Sequence, residues 1–237
     1  MKPLSHDFKV IALLVVALAW CGVLIAIRMM LTHRLEYAFL VWNLGLASAP
    51  VLFSTLTVSQ RRLPRRLLFG FLWLLFLPNA PYIITDFVHL RFLNSGPLWL
   101  DVLMLSSCAA TGLALGFCSV TQIHRMFIDA GRPILGWTIA ISVMFQCGFG
   151  IYLGRFLRWH SVDLFRDPFP LLTDIAERFT NPLIHSRTWG VTLGFGALLS
   201  LGYIFLHLKG QWGMQLVTST PAPTLSAGRN ITLPSPK

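Results

Sequence analysis

Charge is scarce in this sequence. Only 12% of its 237 residues are charged, about half the share of an ordinary soluble domain. Acids are scarcer still, with nine Asp and Glu against nineteen Lys and Arg. Apolar residues make up 55% and mean hydropathy is +0.66. That balance excludes a soluble globular domain, a nucleic-acid-binding domain and a disordered chain. Cysteine is also sparse. Cys21, Cys108, Cys118 and Cys147 all lie in apolar runs and form no C-x-x-C pair, which excludes a disulfide framework or zinc site and leaves small packing residues. No H-E-x-x-H motif and no internal repeat is present, and the lack of a repeat weighs against an inverted-repeat transporter. Nothing in the sequence implies a cofactor.

Long uncharged runs are abundant. A membrane-spanning helix needs roughly 20 apolar residues. Residues 10–27, 37–58, 99–120, 134–153 and 189–208 supply five spans. The sixth, 67–90, is broken: Leu67–Leu77 is wholly apolar, Pro78-Asn79-Ala80-Pro81 interrupts it, and apolar character resumes at Tyr82-Ile83-Ile84. The fold expected is an all-α polytopic membrane bundle of about six spans, the third broken, forming one domain over 1–208. The first span resembles a signal peptide in its flanks, but its apolar run exceeds the usual ~15 residues, so it is read as an uncleaved helix. Residues 167–179 carry Leu172, Ile175, Ala176 and Phe179 at helical spacing after Pro168 and Pro170, the pattern of an amphipathic helix on the membrane surface. Residues 209–237, rich in Pro, Ser and Thr, read as a disordered tail.

Six spans put both termini on one side. That side holds eleven Lys and Arg with two acids, the other eight with seven. Arg61, Arg62, Arg65 and Arg66 fill one short loop. By the positive-inside rule this loop and both termini are cytoplasmic. Trp99, Trp137, Trp159, Trp189 and Trp212 fall at expected water–lipid boundaries, where amphipathic rings are favoured. Gly112 and Gly116, Gly150 and Gly154, and Gly190 and Gly194 give the last three spans small-residue spacing. Such faces suggest that those spans pack together and offer a surface for homo- or hetero-oligomers.

The break is the place where chemistry is expected. A rise of 1.5 Å per residue from Leu67 puts Asn79 about 18 Å into the bilayer. Two prolines remove two backbone donors, and the carbonyls they release need partners in lipid. Asn79, Tyr82 and Thr85 are candidates to supply them. Two readings follow: a discontinuous helix forming a polar cavity, or a kink patched by its own side chains. Past the break, Asp86 and His89 share a helical face. His160 and Asp163 repeat that spacing after Gly154-Arg155-Phe156-Leu157-Arg158-Trp159. Asp101 joins them at the start of the fourth span.

This set supports three readings. In the structural one Asp86 pairs with Arg155 or Arg158, and Asp101 sits favourably at a helix N-terminus. In the second, Arg155 and Arg158 hold an anionic phosphate or carboxylate with Asp86 or His89 as acid or base. The third is a metal site of Asp86, His89, His160 and Asp163. His6, His33, His124, His185 and His207 read as boundary residues, and Gln146 as an interhelical hydrogen-bond partner.

Phe76–Leu90 resembles the signature of a bacterial multi-pass membrane family, domain of unknown function 1361. Gly154–Trp159 resembles a second stretch of that family, which usually continues Asn-Ser-Trp-Asp where this chain has His160-Ser161-Val162-Asp163. The resemblance covers about 37–208, implies a multi-pass protein of the bacterial inner membrane, and supplies no activity. The Asn common at the position of His160 argues against the metal reading. The leading expectation is an outward-facing polar pocket of Asn79, Tyr82, Asp86, His89, Arg155, Arg158 and Asp163. Its partner is an anionic lipid headgroup or metabolite from the bilayer or its surface, and it serves binding or a membrane enzyme. A transporter or channel component, and an assembly partner of another membrane protein, are the alternatives.

The topology makes a direct test. In a cysteine-free background, single cysteines at His89 and His160 are expected to react with an impermeant thiol reagent from outside the cell, and the double variant to cross-link. Labelling from opposite sides would overturn the six-span arrangement.

Overall fold

Helix begins wherever the apolar runs begin, because lipid leaves backbone polar groups no partner but each other. In the computed structural model, which describes residues 6–91, 97–159 and 168–218, every long element is a helix. In chain order they are α1 (His6–Thr32), α2 (Phe39–Ser59), α3 (Leu63–Phe76), α4 (Asn79–Tyr82), a 3₁₀ segment (Ile83–Arg91), α5 (Leu98–Asp129), α6 (Pro133–Phe156), α7 (Pro168–Thr180) and α8 (Ser186–Thr218). Six stretches are long and apolar enough to cross a membrane: Lys9–Thr32, Phe39–Ser59, Leu63–Leu90, Leu98–Asp129, Pro133–Phe156 and Ser186–Leu208. The protein is a multi-pass helical bundle.

The ends differ from the hydropathy boundaries for local reasons. The third span starts at Leu63 rather than Leu67, because Pro64 sits in the first turn, where its missing N–H costs nothing. α8 runs ten residues past Leu208 to Thr218. The first proline beyond it is Pro221, so nothing in 209–218 breaks a helix; residues 219–237 lie outside the described residues. Met1–Ser200 forms one compact unit and Leu201–Lys237 a second.

α5 is the central post. It packs against α1, α2, the broken segment and α6, and α2 packs along α3. Its N-terminal end is tied to α1 by charge. Arg28 donates through Nε to Asp101 Oδ1 and through Nη2 to Oδ2 at 3.3 Å. Both side chains are almost wholly buried, and the Arg28 guanidinium lies over the Tyr37 ring at 5.4 Å. Asp101 stands in the first turn of α5, as expected, and its partner there is Arg28. Nearer the other end, Gln122 Oε1 accepts from Ser54 and Thr55 at 2.6 and 3.1 Å. Trp73 Nε1 donates to Ser119 Oγ at 3.2 Å.

The glycine faces do something other than expected. A Cβ on Gly112 would stand 2.5 Å from the Ala80 carbonyl oxygen, and one on Gly116 3.2 Å from Ala80 Cβ. On α6, Gly150 would meet Pro78 Cβ at 2.5 Å and Gly154 would meet Tyr82 Cε2 at 2.9 Å. Gly190 and Gly194 face open space. The pairs on α5 and α6 therefore seat the broken third span between them, rather than joining the last three spans. The close approach of α6 to α8 runs instead through Gly148, whose Cβ would meet the Thr192 carbonyl oxygen at 2.5 Å.

This assignment separates glycines by their surroundings. Gly112→Ala is expected to destabilise the protein by about 1–3 kcal/mol through forced displacement of Ala80. Gly22→Ala, with nothing within 4 Å of its added carbon, is expected to be neutral or mildly stabilising. Thermal unfolding of the two variants in detergent distinguishes them.

Candidate functional site

The break is built from backbone groups that lost their helical partners. Pro78 has no N–H for the Leu74 carbonyl; Gln146 Nε2 of α6 donates to it instead, at 2.8 Å. Pro81 likewise has none for Leu77, whose carbonyl accepts from Ala80 N at 3.1 Å. That tighter bond strands the Phe76 carbonyl, and Asn79 Nδ2 takes it at 2.9 Å. Further along, Thr85 Oγ1 donates to the Tyr82 carbonyl at 2.7 Å, and Arg155 Nη2 donates to the Thr85 carbonyl. Each freed acceptor in this run is bonded, as burial in an apolar medium requires. Two of the donors, Gln146 and Arg155, come from α6, so the kink is patched from outside as well as by itself.

Arg155 has a second task. The same Nη2 lies 3.2 Å from Asp86 Oδ1, while Asn43 Nδ2 of α2 donates to Asp86 Oδ2 at 3.1 Å. Asp86 is 1% exposed, a place where an unpaired carboxylate would be costly. His89 approaches it from the next turn: Nδ1 is 3.1 Å from the Asp86 main-chain carbonyl and 3.9 Å from Oδ1. The His89 ring also packs on Phe39 at 4.9 Å. Tyr82 lies beneath the Arg155 guanidinium at 5.6 Å. Among the described residues, the bonds of Arg155 to Thr85 and Asp86 both leave from Nη2, and its guanidinium also interacts with the Tyr82 side chain.

These groups close one end of a cavity of about 530 Å³. Asn79, Tyr82, Asp86, His89 and Arg155 all line it. Its wall also includes Leu46, Leu75, Pro78, Phe149, Gly150 and Leu153, with Gln146 about two turns along α6 from Leu153. Among the described residues the buried Oε1 of Gln146 has no partner. Leu171 and Ile175 of α7 line the cavity as well. α7 is held there by Trp159 Nε1, which donates to Asp174 Oδ2 at 2.7 Å. Phe179 adds to the hold by packing on Phe149 at 5.7 Å and on Trp189 at 5.2 Å.

The sequence-derived set divides here. Arg158 is exposed and absent from the lining. Its backbone takes the left-handed conformation, φ 62°, which turns the chain so that Trp159 N reaches the Leu153 carbonyl at 3.1 Å. Its contribution is that turn, which sets Trp159 into the wall. Asp101 belongs to the Arg28 pair. His160 and Asp163 lie outside the described residues, and the metal reading depends on both. Among the described residues no three His, Cys, Asp or Glu side chains gather. Asn43 escaped the sequence reading. The available signal was its amide standing alone in an otherwise uncharged span, where a polar group needs a partner. The apolar wall was invisible, because no pattern separates cavity-lining leucines from lipid-facing ones.

The sequence model of a family described as "Protein of unknown function (DUF1361)" matches residues 42–201. No curated protein and no solved structure matches the chain. The matched stretch contains every cavity-lining residue except Phe39.

The charge pair has a measurable consequence. Arg155→Ala leaves Asp86 buried with Asn43 as its remaining bonded partner, and is expected to cost about 3–5 kcal/mol. Adding Asp86→Asn is expected to restore part of that loss. Unfolding of the two single variants and the double variant gives the coupling.

Proposed function

This chain belongs to the DUF1361 family of proteins of unknown function, and for it we propose that the cavity at the broken third span binds an anionic group. The observation that carries this reading is the state of Arg155. One of its terminal nitrogens pairs with Asp86 and braces the Thr85 carbonyl, while the rest of its guanidinium stands at the edge of the cavity beside Tyr82. A guanidinium held in one orientation is suited to a phosphate or carboxylate oxygen through its forked geometry. Asn79, Tyr82 and His89 stand around the same space as further polar contacts. His89 has its Nδ1 on the Asp86 carbonyl, which leaves Nε2 as the nitrogen available to a bound group. Arg158, exposed and off the lining, takes no part in this version of the site, and Asp163 lies outside the described residues.

The excess of arginine in the Gln60–Arg66 turn supports placing the cavity's polar end on the opposite, external side of a bacterial inner membrane. The ligand then arrives from the outer leaflet or the space beyond it.

The test uses purified protein in nanodiscs of zwitterionic lipid. Binding is read by native mass spectrometry after addition of inorganic phosphate or of phosphatidic acid. At least one of the two is expected to bind. Arg155→Lys, which keeps the charge beside Asp86 but loses the fork, is expected to weaken binding about tenfold or more, as loss of a charge-assisted hydrogen bond implies. Failure of both probes, or binding unaffected by the variant, would overturn the proposal.

A further inference from the structure

Resting on the anionic-site reading above, we infer that the occupant carries a hydrocarbon chain and enters sideways from the bilayer, between α2 and α6. The cavity is two-ended. Its charged groups gather at one end, and the wall beyond them is mainly apolar, formed by Leu46 of α2, Leu75 of α3 and Phe149 and Leu153 of α6, with the Gln146 amide as its one polar side chain there. Along α6 the lining runs from Gln146 to Gly154, which is about 12 Å of helix. That is close to the ~15 Å hydrocarbon depth of one leaflet. A free anion would use only the polar end and would leave the apolar length unfilled.

The α7 side of the cavity points the same way. Leu171 and Ile175 of the amphipathic α7 add two apolar side chains to its wall, and α7 is fastened by Trp159 to Asp174 and by Phe179 against α6 and α8. On the lipid side, Trp42 stands at the rim and is 68% exposed. It lies in the first turn of a membrane-spanning helix, a depth where an indole sits well among headgroups. Apolar side chains of α7 thus line the cavity, and a side chain suited to the membrane interface stands among its lining residues on α2. The arrangement fits a lipid whose anionic head meets Arg155 while its chain lies along the Leu46–Phe149 walls.

The experiment places the protein in zwitterionic vesicles. These contain a small fraction of a phosphatidic acid bearing a diazirine midway along one chain. After irradiation, labelled peptides are mapped. Labelling is expected to concentrate on residues 42–46 and 146–153. It is expected to fall about tenfold in Leu46→Trp, which fills the wall, and in Leu153→Trp on the opposite wall. Unlabelled phosphatidic acid is expected to compete, and inorganic phosphate is not. Label spread evenly over the lipid-facing surface of α1, unchanged by either tryptophan variant, would overturn the chain inference. In that event, phosphate binding that is sensitive to Arg155→Lys would leave the anionic site standing. If Arg155→Lys also changes nothing, both readings fall.

Discussion

Two missing backbone donors govern this structure. Pro78 and Pro81 stand within a span that crosses lipid, and a carbonyl left unbonded there has no water to fall back on. Gln146 and Arg155 exist on α6 at the heights where the Leu74 and Thr85 carbonyls need them. Asn79 and Thr85 do the same from within the segment. The glycines of α5 and α6 follow from the same constraint. Polar side chains reach a displaced backbone only if the neighbouring helices approach closely, and Gly112 and Gly150 are what permit that approach.

A cavity is the by-product of this solution. The broken segment packs against α2, α5 and α6, and the cavity lies between residues of α2, the third span, α6 and α7. Repairing the break also places a fixed arginine, a buried carboxylate and a histidine at the edge of that space. Structure and site are therefore not separable residues here. Arg155 braces the backbone and pairs with Asp86 through one nitrogen while lining the cavity. Such a group is held in one orientation, which is what the proposed anion site needs.

The second buried ion pair, Arg28 with Asp101, shows the contrasting case. Both Arg28 nitrogens that face Asp101 are engaged, Tyr37 covers the guanidinium, and neither residue lines the cavity. It fastens α1 to α5 beside the site without belonging to it. The two buried pairs differ in their surroundings: Asp86 and Arg155 adjoin a cavity, and Arg28 and Asp101 do not.

Hydropathy and proline placement alone determined the class, the number of spans and the position of the break, because lipid imposes a length and a backbone rule that any sequence must show openly. The pairing of Asp86 with Arg155 was legible as one of two alternatives, and the role of Gln146 as an interhelical donor was legible from its isolation in an apolar run. Only the tertiary structure decided that Arg158 points away, that Asp101 belongs to Arg28, that Asn43 completes the Asp86 shell and that the glycine pairs seat the break. Each of these depends on the rotation and spacing of helices about one another. In a bilayer a helix can be apolar on every face, so its sequence carries little information about which face meets a neighbour.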